Sequence, residues 1–278
     1  MAILSIQSHV AYGRVGNRLA VFALERLGHE VWPVNTVDLS NHPAYGGHRG
    51  RVAPAEEVAA LIAGLAERGA FERCDAVLSG YLGAPGTGPV ALDAVAQAKA
   101  ANPRALYCLD PVMGDRQGGV YVAEGLPEFF RAEALPRADV VVGNDFEIGL
   151  LAGHAARNYS NPREAATTLL DRGPAVVVAT GIAEGATLAT LAMSREGAWI
   201  VRCPRVAAPS YGAGDLFTAV FLDRLLATGE VAAALEHTVS AVYGVFTVTA
   251  QAGADALALT AAQDELAAPS RLFTAAAL

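Results

Sequence analysis

Short apolar runs alternate along the chain with longer segments of helical period. "AILSIQ" precedes an apolar stripe over Val15 to Leu27, "VWPVN" precedes one over Ala55 to Arg68, and "DAVLS" precedes one over Val90 to Ala101. The runs "LYCLD", "DVVVG" and "AVVVAT" continue the pattern. Such alternation predicts an α/β fold with a mostly parallel sheet covered by helices. From Thr187 to Val201, two runs flank "SREGA" and predict an antiparallel hairpin. Leu216 to Ala227 and Val231 to Val248 then predict two late helices, with Gly229 stopping the first. The Ala-rich C-terminal end reads as a loosely specified helix and tail. No repeat, charge block or linker interrupts residues 1–278, so a single domain is expected.

Composition narrows the class. With 53% hydrophobic residues the chain can bury a full core. Stretches such as Val176 to Thr180 or Ala241 to Val248 fall short of the roughly 20 residues a bilayer demands, so no membrane partner is expected. "MAILSIQSHV" has neither a basic region nor a cleavage site, which makes a cytoplasmic location the expectation. A net charge of -8 carries no footprint for nucleic acid and leaves a small molecule as the expected partner. Cys74, Cys108 and Cys203 are far apart and odd in number, which favours buried, reduced thiols over disulfides or zinc.

The segment "YGAGDLFTAVFL" places glycines and an acid immediately before a helix. Glycines there let the backbone expose consecutive N–H groups, and the helix macrodipole adds partial positive charge, which suits a phosphate or a phosphoryl transition state. Asp215 can then accept a proton from an attacking hydroxyl while the amides hold the transferring group. The competing reading makes Asp215 an N-cap and the glycines a turn. Lys99 is the only lysine and lies at a predicted helix end, so neither a P-loop lysine nor a kinase strand lysine is available. Phosphate charge would fall to backbone amides, arginine and a metal.

Other strand ends carry candidates of lower specificity. In "LDPVMGD", Asp110 and Asp115 can bind Mg²⁺ directly or through water, or can simply make turns. In "GNDFE", Asn144 and Glu147 offer oxygens, and a helix cap explains them nearly as well. Ser8 can hydrogen-bond a polar ring, whereas His9 reads as structural. "LSNHPAYGG" is either a lid or a surface turn.

Taken together, "SIQSHVAYGRVGN", "VWPVNTVDLSNH", "CDAVLSGYLG", "LDPVMGD" and "YGAGD" resemble the pyridoxal kinases of the ribokinase-like superfamily, in order and over nearly the whole chain. The resemblance implies a homodimeric three-layer α/β/α domain that uses ATP and Mg²⁺ to phosphorylate the 5′-hydroxyl of pyridoxal. It implies Asp215 as catalytic base, with Gly212, Ala213 and Gly214 as the anion hole. Ser8, Val15, Leu39 and Tyr81 would shape the pyridine pocket. Asp110, Asn144, Glu147, Thr180 and Val206 would lie around the nucleotide, with Asp110, Asp115 and Glu147 near the metal. Pro43 replaces the family's usual threonine after "SNH", and Val142 stands where some relatives carry a threonine associated with a monovalent cation. Tyr211 and Arg18 receive no role. Two alternatives remain open: a kinase for another hydroxymethyl heterocycle, such as hydroxymethylpyrimidine or pyridoxine, and a non-catalytic carrier of the B6 ligand.

Overall fold

The computed structural model describes residues 1–154 and 161–278. In chain order its strands are β1 (Ala2–Tyr12), β2 (Glu30–Asn41), β3 (Gly50–Val52), β4 (Cys74–Ser79), β5 (Leu106–Leu109), β6 (Gly114–Asp115), β7 (Gly119–Val120), β8 (Val140–Asn144), β9 (Val176–Glu184), β10 (Thr187–Ser194), β11 (Gly197–Pro204) and β12 (Ala276–Ala277). The α-helices are α1 (Asn17–Arg26), α2 (Ala55–Glu67), α3 (Thr87–Ala101), α4 (Leu126–Phe129), α5 (Asp145–Leu151), α6 (Pro162–Leu170), α7 (Ala213–Thr228), α8 (Val231–Ala252) and α9 (Gln263–Ala267).

A 10-stranded sheet runs in the order β12-β11-β10-β9-β8-β5-β4-β1-β2-β3. Pairing is parallel from β2 through β1, β4, β5 and β8 to β9. β3 joins one end antiparallel, and β10, β11 and β12 extend the other. Successive strand residues point to opposite faces, so one strand feeds two cores. Leu4, Val77, Val141 and Val177 pack with α2, α3, α5 and α6, while Ile3, Ala76, Val140 and Val178 pack with α1, α7 and α8. The mostly parallel sheet covered by helices that the alternation predicts is what forms, with helices on both faces.

Several boundaries differ from the sequence pattern. β1 continues past Gln7 to Tyr12, and β2 past Asn35 to Asn41, so Ser8 lies within a strand, just after a bulge between Gln7 and Ser8. The C-terminal end is more ordered than a loose tail, because Ala276 and Ala277 pair with Ile200 and Trp199 as an edge strand. α8 is longer than the span Val231 to Val248 and has a mean hydropathy of 1.3, which by length and composition suffices to cross a bilayer. Half of that apolar window is buried inside the protein, against α7, β10 and β11, as expected of a core helix. Gly229 stops α7 as the pattern predicts: at φ 72° its N–H returns to the Leu225 carbonyl in a left-handed cap. All three cysteines are free thiols, with Cys74 and Cys108 buried and Cys203 half-buried.

Candidate active site

The chemistry-bearing residues collect at the carboxyl ends of the parallel strands, where open α/β sheets bind ligands. Ser8 and Leu39 sit on the late halves of β1 and β2, and Tyr81 follows β4. Asp110 follows β5, Asn144 ends β8, and Thr180 pairs beside it on β9. Asp215, in the first turn of α7, is joined to both groups. Its Oδ2 accepts the Gly16 backbone N–H at 2.9 Å on the β1 side. On the β5 side, the Asp110 and Asp215 carboxylates repel each other, and a Cβ on Gly214 would lie 3.9 Å from Asp110 Oδ2.

This geometry removes the capping interpretation of Asp215. The N-cap of α7 is Gly212, at φ 86°, and among the described residues no side chain caps the helix. The Asp215 carboxyl points instead across the cleft to Gly16. Burial pushes its pKa up from the ordinary carboxylate value, against the opposing pull of that N–H. A raised pKa makes the ionised carboxylate a stronger base, as proton abstraction from an alcohol requires.

The glycines of the turn differ in what they do. Gly212 has a left-handed backbone, and a Cβ there would lie 2.0 Å from the Arg14 carbonyl oxygen, so the fold itself demands glycine. Gly214 has no such constraint, since the Asp110 oxygen is all that its Cβ would meet. The Ala213 N–H donates to the Ser210 carbonyl at 3.0 Å. That bond takes Ala213 out of the expected anion hole. The N–H groups of Gly212, Gly214 and Asp215 have no acceptor among the described residues, and they remain as donors at the helix N-terminus.

Glu147 is the most constrained acid. Its Oε1 accepts from the Met113 N–H at 2.8 Å and the Gly114 N–H at 3.3 Å, and its Oε2 accepts from the Asn144 N–H at 2.9 Å. Asn144 returns the bond from Oδ1 to the Glu147 N–H, completing a capping box on α5, and its Nδ2 donates to the Gly114 carbonyl at 2.8 Å. The helix-cap interpretation of "GNDFE" therefore holds, and the pair ties the Asp110–Asp115 loop to β8. Desolvation holds the Glu147 and Asp110 carboxyls above their usual range. Asp110 is steadied by Thr218, whose Oγ1 donates to its Oδ2 at 2.9 Å. Asp115 is exposed, with Oδ1 accepting from the Gln117 and Gly118 N–H groups at 2.8 and 2.6 Å.

Among the described residues, no three His, Cys, Asp or Glu side chains converge as a ready metal cage. The donors at hand are carboxylate oxygens around a phosphate-suited turn, which fits an ion such as Mg²⁺ that keeps its waters and takes most other ligands from phosphates. Asp110 and Asp115 retain oxygens for it, whereas Glu147, engaged by three backbone N–H groups, is suited only to contact through water. Val142 is buried within β8 and offers no oxygen from its side chain.

On the acceptor side, Gly16 fits against Ser8 closely enough that a Cβ would lie 2.5 Å from Ser8 Oγ. Val15 is buried, and Ser8, Leu39 and Tyr81 are half-buried. The Tyr81 loop is held by Thr36, whose Oγ1 donates to the Tyr81 carbonyl at 2.6 Å. His9 faces Asp38, with Nδ1 3.5 Å from Oδ1. Val206 lies half-buried in the loop between β11 and α7. Sequence reasoning passed over Gly16, Thr218 and Tyr121, whose phenol pKa is raised by burial and by Glu147, Asp110, Asp115 and Asp215 around it. A glycine in a turn and a threonine inside a helix carry no local signal of such contacts.

A family model for phosphomethylpyrimidine kinases matches residues 72–259. A pyridoxal kinase of Rubrobacter xylanophilus is 47% identical over 276 residues, covering 98% of this chain and 95% of its own. One of Granulibacter bethesdensis is 44% identical over 283 residues, 99% of each. The chain belongs to the pyridoxal kinase family. A solved pyridoxal kinase from Leishmania donovani, in complex with ADP and pyridoxamine, matches the structure with a TM-score of 0.93 at 28% identity, covering 100% of this chain and 99% of that one. The three-layer α/β/α architecture is thus the ribokinase-like fold of pyridoxal kinases, with "YGAGD" at the entrance to α7.

Proposed function

We propose that this pyridoxal kinase family member transfers the γ-phosphoryl group of ATP to the 5′-hydroxyl of pyridoxal, giving pyridoxal 5′-phosphate and ADP. The observation that carries the reading is the Asp215 carboxylate, partly withdrawn from solvent, beside backbone N–H groups that have no acceptor among the described residues. Pyridoxal would lie between Ser8, Val15, Leu39 and Tyr81, with its hydroxymethyl group toward Asp215. Asp215 takes the hydroxyl proton as that oxygen bonds to the γ-phosphorus, and the bond to the bridging oxygen of the departing ADP breaks. Gly212, Gly214 and Asp215 N–H groups stabilise the charge on the transferring phosphoryl oxygens, where preorganised donors act most strongly. The nucleotide would extend from this turn past Asp110, Asn144 and Glu147 toward Thr180 and Val206. Mg²⁺ would neutralise phosphate charge, held by Asp110 and Asp115, with Glu147 reaching it through water.

The fold does not by itself choose the ring. The deciding experiment follows ATP-dependent turnover of pyridoxal, pyridoxine, pyridoxamine and hydroxymethylpyrimidine under matched conditions. Pyridoxal with the highest kcat/KM supports the reading. Preference for hydroxymethylpyrimidine, or tight pyridoxal binding without ADP release, overturns it in favour of a different kinase or a carrier. A cytoplasmic homodimer accompanies the proposal by family resemblance, and sedimentation of the purified chain tests the dimer.

A further inference from the structure

The loop after β2 is a single capped helical turn that reaches the body through a chain of rings. Pro43 opens a single helical turn over Pro43–Tyr45, and His42 caps it, Nδ1 accepting the Ala44 N–H at 3.2 Å. The His42 ring stacks on Tyr211 with centroids 4.8 Å apart and planes at 28°. The Tyr45 ring meets Tyr211 and Tyr12 edge-on, both at 5.8 Å. Its hydroxyl donates to the Asp255 carbonyl at 3.0 Å, while the Tyr12 hydroxyl donates to Asp255 Oδ2 at 2.6 Å. Burial lowers the His42 pKa, so the stacked ring is a neutral imidazole at neutral pH. Of these rings, Tyr211 alone belongs to the turn that leads into α7, being covalently joined to Gly212. It is 44% exposed and so anchors no core.

We propose that Tyr211 is a positioning residue that clamps the 42–47 loop to the phosphoryl-holding turn, so that the acceptor pocket and the anion site are held as one unit. The proposal rests on the reading that transfer occurs at Asp215. The loop is held at Tyr211 by ring contacts alone, whereas its contact with Asp255 is a hydrogen bond, so removing the ring frees the loop from the turn and leaves the Asp255 anchor in place. The loop follows directly on β2, which carries Leu39 of the proposed pocket, and its Tyr45 ring lies against Gly13, where a Cβ would be 3.2 Å away, so loosening it costs acceptor affinity, because the bound complex must then restore the order that the stack supplies in advance. Beyond the Gly212–Asp215 turn the nucleotide side is built on β5, β8 and β9, which carry none of these rings, so ATP affinity should not follow the loop.

The test measures KM for pyridoxal, KM for ATP, and Tm in Tyr211→Ala, Tyr211→Phe, His42→Ala and the Tyr211→Ala/His42→Ala double variant. Tyr211→Ala should raise KM for pyridoxal roughly three- to tenfold, the scale of one aromatic pair, with KM for ATP and Tm unchanged. Tyr211→Phe should keep the wild-type value, and the effect of the double variant should fall short of the sum of the single effects, since both changes break the His42–Tyr211 stack while Tyr211→Ala also removes the edge contact with Tyr45. An unchanged pyridoxal KM in Tyr211→Ala, an equal rise in KM for ATP, failure of Tyr211→Phe to rescue, or additive effects in the double variant overturns the clamp. If Tyr211→Ala does not fold, Tm reports it and Tyr211→Phe and His42→Ala decide: a wild-type KM in both overturns the clamp, and a rise confined to His42→Ala supports it. A wild type without pyridoxal turnover overturns the kinase reading and the clamp with it, whereas an active wild type whose Tyr211→Ala variant is unchanged overturns the clamp alone.

Discussion

The Asp215 carboxylate accepts the backbone N–H of Gly16 at 2.9 Å, a bond that joins residues 199 positions apart in the chain. It fixes the proposed base against the wall of the acceptor pocket, since Gly16 itself lies against Ser8. Such an arrangement favours function over stability. Burial raises the Asp215 pKa above its unfolded value, so ionisation of this carboxyl works against the folded state.

Asp215→Asn therefore has two expected effects of opposite sign. The amide oxygen keeps the Gly16 bond and the variant loses a costly buried charge, so Tm at pH 7 should rise. The proton acceptor is gone, so kcat should fall by about 10²–10⁴-fold with pyridoxal and ATP still bound. Melting and single-turnover phosphorylation on one preparation check both. Near-normal phosphorylation by the folded variant would sink the mechanism.

Gly214 and Gly16 separate anion binding from packing. A Cβ at Gly214 meets only the Asp110 oxygen, at 3.9 Å, so Gly214→Val should fold, keep pyridoxal affinity and lose turnover by obstructing phosphoryl approach. Gly16→Ala faces a φ of 52° and a Ser8 carbonyl 2.1 Å from its Cβ, so it should lose stability first. Comparing Tm with kcat for the pair is the check, and wild-type turnover in Gly214→Val would place the phosphate elsewhere.

These examples show what the chain reveals locally. Strands such as Val140–Asn144 were legible because burial on both faces makes them continuous apolar runs. The ends of β1 and β2 were not, because His9, Tyr12, Asp38 and Asn41 are half-buried or exposed and interrupt the apolar pattern. The Asn144–Glu147 cap follows from spacing alone, but the occupation of the Glu147 oxygens by Met113 and Gly114 depends on a loop more than thirty residues away. Tyr211 was silent for the same reason: its partner, His42, is remote in sequence and adjacent only after the sheet forms.

Pro43 is exposed and its ring presets the first residue of the loop turn. Pro43→Thr exchanges roughly 0.4–1 kcal/mol of preorganisation for, at best, one hydroxyl bond of about 0.5–1.5 kcal/mol. The effects partly cancel, so KM for pyridoxal should move by less than about sixfold. A tenfold fall in steady-state KM would show that the threonine hydroxyl reaches the substrate and outweighs the stiffening.

A second buried acid, Asp223, has the opposite polarity to Asp215. Its Oδ1 lies 2.7 Å from His29 Nε2, both side chains nearly inaccessible, and its Oδ2 accepts from Arg224. Burial alone would raise its pKa, but the hydrogen bonds and charges of His29 and Arg224 outweigh it, and the carboxyl titrates below its ordinary value. A depressed folded pKa contributes stability that is present above the unfolded value, near 3.9, and is lost as pH falls through the folded one. Asp223→Asn should thus cost roughly 1.5–3 kcal/mol at pH 7, the scale of hydrogen bonds to a charged group. The gap from wild type should close as the solution is acidified below the unfolded pKa. Denaturant melts of both proteins between neutral and acidic pH test this, and a gap that stays constant across the range would mean that packing around α7, not the ionised Asp223, carries the effect. Because the pair joins the turn after α1 to the buried side of α7, away from Asp215, kcat at pH 7 should be unchanged in whatever fraction remains folded.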